Sequence, residues 1–231
     1  MSSIFDDLYE IGDPVARRPF RGSVDCSSEE ATTFSRAERQ PTAPVIVSWG
    51  MGAGEPSDVI WTQLGLPLIV SSKFIDLLRD AQFTGWDTYR VQVMAKDGRV
   101  VPGFHGLAIT GRCDPADLSR SDLVLREYPG GWFPVFRGHF FDERSWDGCD
   151  MFMERADERG NRTLRRYVTG RVVKALGRSR ISNLHIEKLS ELEVSAAVYE
   201  IGLRYRLPRN YDSRLEELYA NKGASDSGAE P

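Results

Sequence analysis

The chain has 231 residues, 41% apolar and 28% charged, with a formal net charge of −4. That length supports a substantial hydrophobic core, in one larger domain or two small ones packed together. No run of about 18 apolar residues occurs, which argues against a membrane-spanning helix, and the acidic balance argues against a nucleic-acid binder, whose surface is usually basic.

The N-terminal "MSSIFDDLYE" is acidic and has no basic start followed by an apolar core, so no secretory signal is expected. Residues 21–44 are rich in Ser, Thr, Glu and Pro, and residues 1–44 as a whole read as an N-terminal segment that is largely loop. Apolar density rises at "APVIVSW" (Ala43–Trp49) and stays high to about Leu207, so a single domain is expected over 45–210. The "GMGAGEP" stretch (Gly50–Pro56) is glycine-rich after a strand pattern. It lacks the GK[ST] ending of a phosphate loop, and a flexible loop is the simpler reading.

"VSSKFIDLLRDAQFTGW" (Val70–Trp86) predicts a helix. Ser71 suits the N-cap, Phe74, Ile75, Leu78 and Ala81 form one face, and Gly85 suits the exit. "DTYRVQVMA" (Asp87–Ala95) alternates like a strand, and "KDG" (Lys96–Gly98) predicts a hairpin turn. Strands are expected at His105–Gly111, Ser121–Tyr128, Gly131–Phe141 (interrupted by Pro134) and Cys149–Arg155, with a polar turn at Asp157–Thr163.

"VTGRVVKALGRSRISNL" (Val168–Leu184) then repeats the first helical pattern 98 residues later. In a gapless alignment of Val70–Val91 with Val168–Leu189 eight apolar positions coincide, where about 4 would by chance. Thr169 matches Ser71, Asn183 matches Gly85, and "LHIEKL" (Leu184–Leu189) follows as a strand. "AAVYEIGLRYRL" (Ala196–Leu207) fits neither period. Ser213–Tyr219 predicts a short last helix, and the remaining tail is poor in apolar residues and expected to be disordered. The fold class is α+β: a mixed, mainly antiparallel sheet with a few packed helices and a duplicated helix–turn–strand unit.

Sites for chemistry are scarce. Cys26, Cys113 and Cys149 form no CxxC pair, which points to a reducing, cytoplasmic setting and away from disulfides or zinc. His105, His139 and His185 have no metal-ligand spacing, so no metal and no cofactor is expected. "HFFDERSWDGCD" (His139–Asp150) gathers His139, Asp142, Glu143, Asp147 and Asp150, a set suited to acid–base work or to a solvated, Asp-capped turn. Trp132 precedes it and Trp146 lies within it, and large aromatics beside carboxylates suit a protein–protein contact as well as a core.

Two stretches carry a resemblance. "LPLIVSSKFIDLLRDAQFTGWDTYRVQVMAKDG" with "FHGLAITGRCDPADLSRSDL", and later "SWDGCDMFM" with "YVTGRVVKALGRSRISNLHIEKLSEL", resemble the two halves of an immunity-protein domain of bacterial polymorphic toxin systems. The likeness covers about residues 65–192 and rests on apolar and turn patterns. It implies a cytoplasmic interaction protein, not an enzyme, that binds and neutralises a cognate toxin domain. The family supplies no contact residues. Trp132, Trp146, Asp147 and Asp150 are the expected partner-binding residues on the aromatic and charge argument alone. An enzyme using the His139–Asp150 segment and a scaffold subunit are the competing readings, and a homodimer is compatible with all three.

Overall fold

The computed structural model describes residues 3–14, 19–52, 55–62 and 65–227. Ala53 and Gly54 of the glycine-rich stretch, and residues 228–231 of the tail, lie outside them. The first half comprises β1 (Leu8–Gly12), β2 (Arg21–Val24), α1 (Ser28–Ser35), β3 (Val45–Met51), β4 (Val59–Thr62), β5 (Leu68–Ser71), α2 (Ser72–Asp80), β6 (Trp86–Met94) and β7 (Val100–Val101). The second comprises β8 (Phe104–Ile109), β9 (Gly111–Cys113), β10 (Asp122–Tyr128), β11 (Gly131–Arg137), β12 (Met151–Glu154), β13 (Tyr167–Thr169), α3 (Gly170–Arg178) and β14 (His185–Lys188). β15 (Glu193–Ser195), α4 (Ala196–Gly202) and α5 (Tyr211–Ser227) complete the chain. The fold is α+β, as the sequence predicts.

Three sheets share the molecule. In the first, β3 pairs with both β2 and β6, so β3-β2-β4-β5-β8-β6 closes on itself. Val47, Ile60, Ile69 and Val93 fill its inside. Strand alternation turns Val59, Trp61, Leu68, Val70, Leu107 and Ile109 outward, where they bury against α2, α3 and a second sheet ordered β14-β1-β13-β12-β9. The third sheet, β10-β11-β15, lies with α4 and α5 around Phe136, Tyr199 and Tyr211. No helix among the described residues is long and apolar enough to cross a membrane.

The repeat legible in the sequence is the visible part of a larger internal symmetry. α2 and α3 are matched residue for residue at the spacing of 98. Both end on the same turn: Phe83 N–H donates to Leu78 O and Ile181 N–H to Leu176 O, and Gln82 and Arg180 both take positive φ, 52° and 50°. Gly85 (φ 86°) and Asn183 (φ 66°) then turn each chain into its strand. The sheets match too. β2-β4-β5-β8-β6 and β9-β12-β13-β1-β14 have the same order and polarity: one parallel contact, then three antiparallel ones. In sequence the units are β1-β2-β4-β5-α2-β6 and β8-β9-β12-β13-α3-β14. Each therefore contributes its first strand to the sheet of the other.

Two aspartates fasten the units together. Asp58 sits before β4 in the first unit and Asp150 before β12 in the second. Asp58 accepts the Ser71 hydroxyl of its own unit (3.0 Å), and both the N–H and hydroxyl of Ser182 from the opposite unit (3.0 Å each). Asp150 accepts the Thr169 hydroxyl of its own unit (2.9 Å), and the N–H (3.1 Å) and hydroxyl (3.4 Å) of Thr84 from the opposite unit. The backbone N–H of each aspartate donates back, Asp58 to Ser182 Oγ and Asp150 to Thr84 Oγ1. A cation on each helix, Lys73 or Arg171, completes the brace.

Several expectations change. The described part of residues 1–44 is not largely loop: β1 is an interior strand of the second sheet, β2 belongs to the closed sheet, and α1 is a capped helix. Ser71 caps α2 as expected, accepting from Phe74 N–H, but Thr169 makes no cap bond because its hydroxyl is committed to Asp150. Ala196–Leu207 resolves into α4 and a short 3-10 turn. The last helix runs past Tyr219 to Ser227, so that part of the expected disordered tail is helical.

Candidate functional site

The β10–β11 hairpin carries the densest exposed aromatic group among the described residues. Its register sets Arg126 opposite Phe133, Glu127 opposite Trp132 and Tyr128 opposite Gly131. Gly130 and Gly131 at the turn have φ of 111° and 128°, a region that side chains rarely adopt, which fixes the tight reversal. Alternation then puts Tyr128 and Phe133 on one face, with ring centroids 6.2 Å apart. Trp132 points to the face covered by α5, where Lys222 lies 4.7 Å from its ring and the Tyr219 hydroxyl donates to its carbonyl. Tyr128, Phe133 and Trp132 are 50%, 44% and 38% exposed, although burying such rings is worth about 1.5–3 kcal/mol each.

Paired charges frame the outer face of this sheet. Arg126 Nε donates to both oxygens of Glu193 (2.9 and 2.8 Å), and Arg137 approaches Asp122 at 3.4 Å. The hydrogen bond from Arg126 holds the Glu193 carboxyl below the usual glutamate range. The surface beside the rings is thus close to neutral and its charges are fixed in place.

The other residues expected at a partner surface do different work. Trp146 is half-buried against Phe152 (5.2 Å between centroids), and its indole N–H donates to Cys149 O. Asp147 is exposed, but its carboxylate accepts the N–H groups of Arg112 (2.6 Å) and Cys149 (3.1 Å), which shapes the loop. Asp150 is buried in the brace between the units and is corrected from a partner contact to a structural residue. Asp142 pairs with Arg144 and starts a 3-10 turn. The acidic segment therefore does not converge on one point, and among the described residues no three His, Cys, Asp or Glu side chains gather to hold a metal ion.

His139 belongs to a separate, buried network. Its Nε2 lies 2.8 Å from Glu154 Oε1 and 2.7 Å from the Tyr167 hydroxyl, and that hydroxyl donates to Glu154 (3.0 Å). Arg206 reaches the other Glu154 oxygen at 3.3 Å. Burial alone raises the Glu154 pKa. The His139 hydrogen bond and charge, the Arg206 charge and the Tyr167 hydroxyl outweigh it and leave the carboxyl below its ordinary value. A lowered folded-state pKa adds stability that is complete above the unfolded value, about 4.3, and is lost as pH falls through the folded one. Glu154→Gln is expected to flatten this acid limb of stability, read as the urea midpoint from pH 6 downward. An unchanged limb in the variant would contradict this assignment.

No protein-family profile and no curated protein matches the chain.

Sequence reasoning singles out Trp132 but misses Phe133 as its companion. The alternation of "GWFPVFR" and the Gly-Gly turn hold the signal, which the interrupting Pro134 obscures.

Proposed function

We propose that the protein is an immunity-type binding protein, acting in the cytoplasm, that neutralises a cognate bacterial toxin by direct contact and performs no reaction of its own. The observation that carries this reading is the exposed aromatic group Tyr128, Trp132 and Phe133 on the β10–β11 hairpin. Tyr and Trp dominate the energetics of protein interfaces, because they bring large contact area at low entropic cost. The resemblance of residues 65–192 to an immunity domain supports the same reading, as does the engagement of the acidic segment in loop and brace contacts.

The double variant Trp132→Ala/Phe133→Ala is expected to weaken toxin binding by about 30-fold or more, the loss typical of interface hot spots. Titration calorimetry against an inactivated toxin domain measures this, with circular dichroism verifying the fold. Wild-type affinity in a folded double variant would remove this surface from the proposal.

A further inference from the structure

A second feature lies apart from the hairpin. Between β1, β15, α4 and the segment Arg162–Arg165 is a cleft of about 410 Å³. Arg162, Arg165 and Arg206 all line it, and Glu10 is the one carboxylate in its wall. Each arginine engages a carboxylate through a single guanidinium nitrogen: Arg162 Nη1 with Glu38 (2.9 Å), Arg165 Nη1 with Glu10 (2.5 Å), and Arg206 Nη2 with Glu154 (3.3 Å). Among the described residues the other N–H donors of these three groups have no protein hydrogen-bond partner.

The Arg206 side chain is only 8% exposed, and both its bonds are long, 3.3 Å to Glu154 and 3.4 Å to Ala116 O. A buried guanidinium with such weak partners is poorly compensated and favours a further anion. Val194, Val198 and Leu203 supply an apolar side. Behind Arg206, the His139–Tyr167–Glu154 network holds the site in place.

We propose that this cleft binds a small organic anion, a carboxylate or phosphate carried on a compact apolar body, with Arg206 and Arg165 as its polar contacts. The size suits such a ligand, since small-molecule sites span about 300–1,000 Å³. The site is independent of the toxin-binding reading.

The test is a titration of the full chain with acetate, isovalerate and inorganic phosphate, followed by the arginine side-chain N–H signals in NMR. Saturable shifts of Arg165 and Arg206 are expected. Isovalerate is expected to bind more tightly than acetate, by about fourfold for each methylene the apolar wall buries. Arg206→Gln should weaken binding at least tenfold and Arg165→Gln several-fold, whereas Arg144→Gln, at an exposed position, should leave it unchanged. Arg165→Gln alters a partly exposed side chain, so it remains decisive if Arg206→Gln fails to fold. Shifts that do not saturate for any of the three anions, or dissociation constants unmoved by Arg165→Gln and by a folded Arg206→Gln, would overturn the proposal.

Discussion

Deletion of residues 1–12 is expected to abolish folding, with loss of the cooperative thermal transition. β1 lies between β13 and β14, and these two strands touch nothing but β1 where they face one another. The deleted stretch also buries Phe5, Leu8 and Ile11, each at most 1% exposed. At about 1.5–3 kcal/mol per side chain, the three together approach the roughly 5–15 kcal/mol by which a domain is stable at all. The open edges of β13 and β14 would favour aggregation as well. Circular dichroism and calorimetry of the truncated chain measure the outcome. A truncated protein with a near-wild-type transition would show that β1 is an ornament on the second sheet, and that the exchange of first strands does not stabilise the fold.

The second large effect is expected at Asp150. Asp150→Ala removes the acceptor of the Thr84 N–H, the Thr84 hydroxyl and the Thr169 hydroxyl at once. Hydrogen bonds to a charged group contribute about 1.5–3 kcal/mol each, and water reaching the exposed Thr84 replaces part of what is lost. A net loss of about 3 kcal/mol is therefore expected, or roughly 6–12 °C in Tm for a chain of this size. Asp58→Ala breaks the matching brace. It should cost less, because the Asp58 side chain is 16% exposed against 8% for Asp150, and water replaces part of what is lost. Denaturant unfolding of the two variants compares them directly. A loss below 1 kcal/mol for Asp150→Ala would mean that helix packing alone holds the units together.

The sequence shows half of this symmetry and hides the rest for physical reasons. α2 and α3 are visible because amphipathic helices bury one face and so must repeat an apolar pattern. The braces are harder to find. Asp58 and Asp150 lie 92 residues apart while Ser71 and Thr169 lie 98 apart, because the connection from β12 to β13 is longer than that from β4 to β5. Thr84 and Ser182 do align at 98, but a hydroxyl residue in a turn signals nothing until its acceptor is known. β1 and β2 are five and four residues long within a polar stretch, too short for alternation to stand out, and their partners lie far along the chain. The hairpin, by contrast, is legible in the strand patterns on each side of Pro129–Gly131. The exposure of its rings is a property of the tertiary fold, and so is the burial of Asp150.

The claim that matters most is that the molecule acts by binding a toxin. Its most direct test is co-expression of the tagged chain with the product of its neighbouring gene, whatever that encodes, scoring growth and co-purification together. The account predicts rescued growth and a stable complex that Trp132→Ala/Phe133→Ala disrupts. A folded, well-expressed chain that neither rescues growth nor retains that product would contradict it.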